Sequence, residues 1–390
     1  LEGIRPKGLI VNLTRAGLTA GLIAAALALA ACSSSGGNSG GGGSSSSTAG
    51  TSTSSSSGGS STCAPGSLTA DGSTAQQNAI NAWIQKYTAQ CSGANITYSG
   101  GGSGQGVTDF TAGKVDFAGS DSALDPTKGE VAAANKRCGT GSQALDIPMV
   151  TGPVAIAYNV KGVSNGAITF TPDVLVKVFT GKIKQWNDPA IAAINKGVNL
   201  PSEPITVFFR SDQSGTTSNV EKYFNTVDPS GYPTTPSKTW VGAGQGKTGS
   251  QGVQQAIKTT EGGIGYIEWS YAGSAGLSMA KIDNGGGPVA LTAESAGKAV
   301  AAAKIASNGG SDLTLKLDYA TKAPGAYPII LVTYEIVCSK YSDASVGTRV
   351  KAFLTYTSSS AGQGLLPTVG SAPLPQSILT KVQQTVATIS

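Results

Sequence analysis

Phe209-Arg210-Ser211-Asp212-Gln213-Ser214-Gly215-Thr216-Thr217 is the stretch on which the reading of this chain turns. It follows the apolar β-type run Ile205-Thr206-Val207-Phe208. Behind it, Val220, Tyr223, Phe224 and Val227 recur at the i, i+3, i+4, i+7 spacing of a buried helical face. The chain therefore passes from strand through a polar turn into a helix. Such a turn presents a guanidinium, hydroxyls and free backbone N–H groups at a helix N-terminus, where the macrodipole favours negative charge. That chemistry suits a tetrahedral oxyanion. The plainer alternative is a Ser-capped helix beside a surface arginine.

Two further turns of the same kind lie upstream. Leu68-Thr69-Ala70-Asp71-Gly72-Ser73-Thr74-Ala75 precedes a stripe of helical period, Ala79, Ile80, Trp83, Ile84 and Tyr87, with Ser73 and Thr74 where caps belong. The short β-type run Ile96-Thr97-Tyr98 leads into Ser99-Gly100-Gly101-Gly102-Ser103-Gly104-Gln105-Gly106, after which Val107 and Phe110 restart helical spacing. Glycines there permit the close approach and positive φ that an anion nest needs. An alternating run, Val115 to Ser120, ends at Asp121, which reads either as a turn-capping Asp or as an acceptor for a protonated ligand.

Two look-alikes fail. The Gly-rich turn has no register that gives G-x-G-x-x-G, and no acidic residue follows at the ribose-binding distance. Val241-Gly242-Ala243-Gly244-Gln245-Gly246-Lys247-Thr248 ends like a nucleotide-binding P-loop, but Val241 stands where the leading glycine should be.

Further along, Pro153 to Asn159 reads as a buried strand, and Thr171 to Gly181 as a helix with Thr cap, Pro at its first position and Gly after its end. Gly263 to Trp269 and Pro328 to Val337 read as strands, and helices are expected near Ser345 to Tyr356 and Ser377 to Ile389. Strands alternating with helices imply an α/β body with mainly parallel sheets, whose ligands sit at the carboxyl ends of strands.

The chain has 390 residues, enough for about two domains. Charged residues make up 13%, and the net charge is +5. Three basic residues (Arg5, Lys7, Arg15) and one acidic (Glu2) fall in the leader, which leaves +3 and gives no case for nucleic-acid binding. Histidine is absent, which removes His-based triads, His-ligated zinc and histidine general bases.

Basic residues followed by an apolar stretch from Ala16 to Ala31 read as a targeting signal over 1–31, too short for a comfortable membrane span. Leu29-Ala30-Ala31-Cys32 resembles the lipobox of bacterial lipoproteins, in which Cys32 becomes the lipidated first residue. Leu1 is not a methionine, so the sequence leaves the true translation start open. Residues 33–62 contain only Ser, Gly, Thr, Ala and Asn and read as a flexible tether spanning roughly 30 Å. Lipid and tether together place the body outside the cytoplasm at a membrane surface. Cys63, Cys91, Cys138 and Cys338 remain for two disulfides, with three pairings open. The favoured one joins Cys63 to Cys91 and Cys138 to Cys338.

The segments Asp71 to Ala75, Gly100 to Val107, Val115 to Asp121, Gly181-Lys182-Ile183-Lys184-Gln185-Trp186-Asn187-Asp188 and Arg210 to Thr216 together resemble the phosphate-binding protein of the bacterial phosphate-specific ABC transporter, in its actinobacterial lipoprotein form. The resemblance runs from about Leu68 to the C-terminus. It implies a two-lobed periplasmic-binding-protein-like fold of type II, with ligand in the cleft, and we divide the lobes as 63–158 with 322–390 and 159–321. It also implies phosphate ligands: the Thr74 hydroxyl, the Ala75 N–H, Ser103 and Asp121 from one lobe, and Arg210, Ser214, Gly215 and Thr216 from the other, with Asp212 orienting Arg210. Relatives often carry an aromatic residue where Ala75 stands, so that side chain is not essential here.

Protons explain why an anion site would hold a carboxylate. Phosphate near neutral pH carries at least one O–H and can donate to Asp121, whereas sulfate has none. At about 4 Å and an effective dielectric near 20 the repulsion is on the order of 4 kcal/mol, roughly a thousandfold discrimination. The reading is a tethered receptor, without cofactor or metal, that binds inorganic phosphate without chemistry and delivers it to membrane permease subunits. A monomer is the simplest form for lobes that must move. The rivals are a phosphatase acting on phosphomonoesters, with Ser214 as nucleophile but no base beside it, and a structural surface lipoprotein.

Overall fold

The computed structural model describes residues 63–306 and 312–390, all within one unit, Gly59–Ser390. The leader, Cys32 and the tether lie outside the described residues.

Two long strands, Ala144–Asn159 and Ile330–Cys338, run through the middle of the body and are buried almost throughout. A strand covered on both faces reads as a continuous apolar run rather than an alternating one, as Ile329 to Val332 and Val154 to Ala157 do. The two pair antiparallel, from Ile330 opposite Pro153 to Cys338 opposite Ala144. The ladder skips Met149, so its irregularity falls beside Pro148, which has no N–H to give.

Among the described residues a nine-stranded sheet is built around this pair. On one flank Gly66–Gly72 lies parallel between Ala94–Ser99 and Phe117–Ser120. On the other, Thr206–Arg210 lies parallel between Gly263–Glu268 and Gln245–Lys247. Each flank is thus parallel as expected, but the two are joined into one mixed sheet by antiparallel crossing strands. The reason is topological: the chain leaves the first flank along Ala144–Asn159 and returns along Ile330–Cys338, so the two passages run in opposite directions.

Helices cover both flanks and close two hydrophobic cores. One contains Ile80, Trp83, Phe110, Phe117, Phe353 and Val382. The other contains Phe170, Phe179, Trp186, Tyr223, Phe224 and Ile264. The long crossing strand changes core between Val150 and Val154. Cys63 is joined to Cys91 and Cys138 to Cys338. Among the described residues no helix is long and apolar enough to cross a membrane.

Local expectations shift in two places. The first helix, Gln77–Gln90, has Gln76 rather than Ser73 or Thr74 as N-cap, because the Ser73 hydroxyl donates to Asp121 instead. The strand read from Pro153 begins nine residues earlier, at Ala144, where Pro148, Gly152 and Pro153 mask its pattern.

Candidate functional site

The strands Gly66–Gly72, Phe117–Ser120, Thr206–Arg210 and Gln245–Lys247 end at one place, each running into a polar turn. Three helices start there: Ser103–Thr111, Gly215–Val227 and Gly249–Thr259. Thr74, Ala75, Ser103, Asp121, Arg210, Ser214, Gly215 and Thr216 are all brought together and buried.

Asp121 forms one pole. Its Oδ1 accepts from the Ser73 hydroxyl at 2.5 Å and the Thr333 hydroxyl at 2.8 Å, and the Ser103 hydroxyl lies 3.3 Å from Oδ2. The Thr216 hydroxyl is also 3.3 Å from Oδ2, but it has one proton and a nearer acceptor, Glu268 Oε1 at 2.6 Å. Burial pushes the Asp121 carboxyl up to about 6, and the charge of Glu268 adds to this. The Ser73 and Thr333 hydroxyls and the Arg210 charge pull it back.

Arg210 forms the other pole. Its Nε donates to Asp212 Oδ1 at 2.8 Å and its Nη2 to Oδ2, the fork-on-fork geometry that fixes a guanidinium plane. Although burial alone would raise the Asp212 carboxyl, the Arg210 hydrogen bonds and charge hold it below the usual range. The remaining arm, Nη1, reaches Ser250 Oγ at 3.3 Å, and Ser250 Oγ lies 2.8 Å from Thr74 Oγ1. Gly249 N–H donates to Asp212 at 2.9 Å.

Two glycines let the poles approach. Gly102 has φ +96° and a Cβ there would fall 2.5 Å from Asp212 Oδ2; at Gly215 a Cβ would fall 2.7 Å from both Asp121 Cβ and Ser103 Oγ. Contacts between the flanks seal the site: Asn219 Nδ2 donates to the Asp121 carbonyl at 2.7 Å, Gly104 N to Gln213 O at 2.9 Å, and Tyr271 Oη to Thr74 O at 3.0 Å. The Ala75 N–H expected to face a ligand is engaged within the chain, on Ser73 Oγ at 3.0 Å, and the Ser214 N–H is likewise taken, by Lys238 O at 2.8 Å. Ser214 Oγ caps its helix by accepting from Thr217 N–H at 3.3 Å.

Four contributors escaped the sequence reading: Ser73 as partner of Asp121, Thr333, Ser250 and Glu268. Thr333 carried a signal, a threonine that breaks off the apolar run Ile329 to Val332 within a strand buried throughout. Ser250 follows the P-loop look-alike, whose turn opens a helix as the recognised turns do. Glu268 gave none: its strand is legible, but nothing in the run marks its last residue as facing the site. Among the described residues no group of three or more His, Cys, Asp or Glu side chains is placed to hold a metal ion.

A sequence profile of the PBP superfamily domain matches residues 45–361. The chain is 44% identical over 327 residues to phosphate-binding protein PstS2 of Mycobacterium bovis (strain BCG), covering 83% of this chain and 87% of that protein. It is 41% identical over 320 residues to phosphate-binding protein PstS 3 of Mycobacterium leprae, covering 81% and 85%. Among solved structures, a human phosphate-binding apolipoprotein superposes with a TM-score of 0.63 at 25% identity, over 81% of this chain and 93% of that one.

Proposed function

The chain belongs to the PBP superfamily, in the family of its mycobacterial phosphate-binding relatives, and from that premise we propose that it binds inorganic phosphate outside the cytoplasm and hands it to the permease of an ABC transporter for import. The observation that carries this reading is the pairing of poles in one buried site. Arg210, held flat by Asp212, offers charge and donors to an oxyanion, while Asp121 offers an acceptor that only a protonated oxyanion can use. Binding without turnover fits the side chains present. The relatives that match most of the chain are phosphate-binding proteins, and Ser214 Oγ serves as a helix cap that accepts a backbone N–H, so we read the protein as a receptor and not a phosphatase.

The finer assignments belong to the same proposal. Thr74, Ala75, Ser103 and Asp121 meet the ligand from the lobe formed by 63–158 with 322–390. Arg210, Ser214, Gly215 and Thr216 meet it from 159–321, and Asp212 orients Arg210. The crossing strands act as the hinge, and when phosphate enters, its oxygens displace the internal partners that the N–H groups of Ala75 and Ser214 hold in the sealed form. Cys32 carries the lipid, the tether holds a monomeric body clear of the membrane, and the permease receives the closed form. Two disulfides suit an oxidising compartment.

Calorimetric titration after removal of endogenous phosphate tests the reading. One-to-one phosphate binding with no sulfate heat is the expected result. A folded protein that binds neither ion would overturn it.

A further inference from the structure

Beside the sealed site, on the seam between the flanks, lie two cavities of about 230 and 270 Å³. Asp121, Asn219, Lys316 and Tyr319 line the inner one, and Lys128, Glu130, Ser218 and Lys238 the outer one; Ser122, Ala123 and Lys222 line both. Room is not limiting, since a single water needs only about 10–15 Å³ of such volume.

Lys222, partly buried on the helix Gly215–Val227, is the charged side chain that lines both cavities. Its neighbour Lys238 gives its ammonium to both oxygens of Glu130, at 2.8 and 3.0 Å, across the seam. Among the described residues Lys222 has no ion-pair or hydrogen-bond partner. Burial pushes its ammonium below the usual lysine value, Lys238 and Lys128 add to that, and Asp125 opposes it. The carboxylates of the outer cavity are each taken by another lysine, Asp125 by Lys128 at 3.9 Å and Glu130 by Lys238 at 2.8 Å, so Lys222 keeps no counter-charge of its own, and the empty space beside it is where one would fit.

We propose that these cavities form a second, weaker oxyanion site, a vestibule in which Lys222 receives inorganic phosphate at the seam before the flanks close over Arg210. The site rests on the phosphate-binding reading above but uses different residues. With the flanks parted, Lys238 is separated from Glu130 and adds its charge to the vestibule. On closure the pair re-forms, the local positive charge falls, and the anion is released toward the inner site.

Stopped-flow association of phosphate with the full chain tests this, using the wild type, Lys222→Gln and Lys222→Arg between about 20 mM and about 500 mM salt. Lys222→Gln is expected to slow association about threefold to tenfold at low salt, with a shallower salt dependence and convergence on the wild-type rate at high salt. Lys222→Arg keeps the wild-type behaviour. Equal rates and salt slopes in wild type and Lys222→Gln overturn the vestibule alone. A wild type that takes up no phosphate overturns the inner-site reading and the vestibule with it.

Discussion

Asp121, one residue past the strand Phe117–Ser120, and Glu335, on the strand paired with it, are equally hidden, at 3% and 1% exposure, yet their surroundings are opposite. Asp121 is ringed by the hydroxyls of Ser73, Ser103, Thr216 and Thr333, whereas among the described residues neither oxygen of Glu335 has a hydrogen-bond partner. Burial raises both carboxyls, Asp121 to about 6 and Glu335 to about 8. Donors and the Arg210 charge keep the first within reach of ionisation at neutral pH; beside the second stands only the Gln76 amide, too poorly aimed for a hydrogen bond, and the Asp121 charge pushes it higher. A buried carboxylate is thus a usable acceptor only where the fold supplies the donors to hold its charge.

The largest test removes the charge from the ringed carboxyl. Asp121→Asn abolishes the repulsion of about 4 kcal/mol that excludes sulfate, so the phosphate-to-sulfate affinity ratio is expected to fall by up to about a thousandfold in competition titrations. An unchanged ratio would deny Asp121 its role. Reshaping the cation that Asp121 has beside it and Glu335 lacks comes next. Arg210→Lys gives up the two-armed contact with Asp212 and is expected to weaken phosphate binding by about 2–3 kcal/mol, or roughly a hundredfold, in calorimetry.

Glu335→Gln approaches the same difference from the unpartnered side. A carboxyl whose folded-state value lies above its unfolded one is best tolerated below the unfolded value, and its penalty grows as pH rises through the folded one. Glu335 therefore costs stability progressively between about 4.5 and about 8. The glutamine variant should be more stable by about 2 kcal/mol at pH 8 and equal to wild type near pH 4, as read from urea unfolding at both. Thr333→Val is the smallest change, one donor taken from Asp121 at a cost of about 1 kcal/mol. The Asp121 carboxyl should rise above about 6, and the acid limb of the phosphate-binding profile should move to higher pH with it.

What the sequence made legible was local. A strand running into a Gly- or Ser-rich turn and then into an amphipathic stripe needs only neighbours in the chain, which is why the turns at Gly100–Ser103 and Arg210–Thr216 could be read. Thr333 and Ser250 join the site from 212 residues beyond Asp121 and 176 beyond Thr74, through contacts that no periodicity encodes. Ser250 shows a second kind of miss. The turn before it fails as a nucleotide motif for want of a glycine at Val241, but a helix N-terminus attracts anions with or without that glycine. The sheet, too, was read only by halves, because direction reverses at crossing strands whose pairing is non-local.

The division of the chain between its two cores also bears on the order in which a chain made from its N-terminus can fold. The first core draws on residues up to Val150 and again from Leu313 and Ile336 onward, while the second, apart from Ala75, lies between Val154 and Leu331. As the polypeptide emerges from its N-terminus, the middle can complete its packing while the earliest residues still wait for the last. Cys91 has its partner already present, but Cys138 must remain unoxidised until a residue 200 positions later arrives. During export, Cys138 is the thiol most exposed to wrong pairing, and an oxidising machinery that acts too early would trap the chain there.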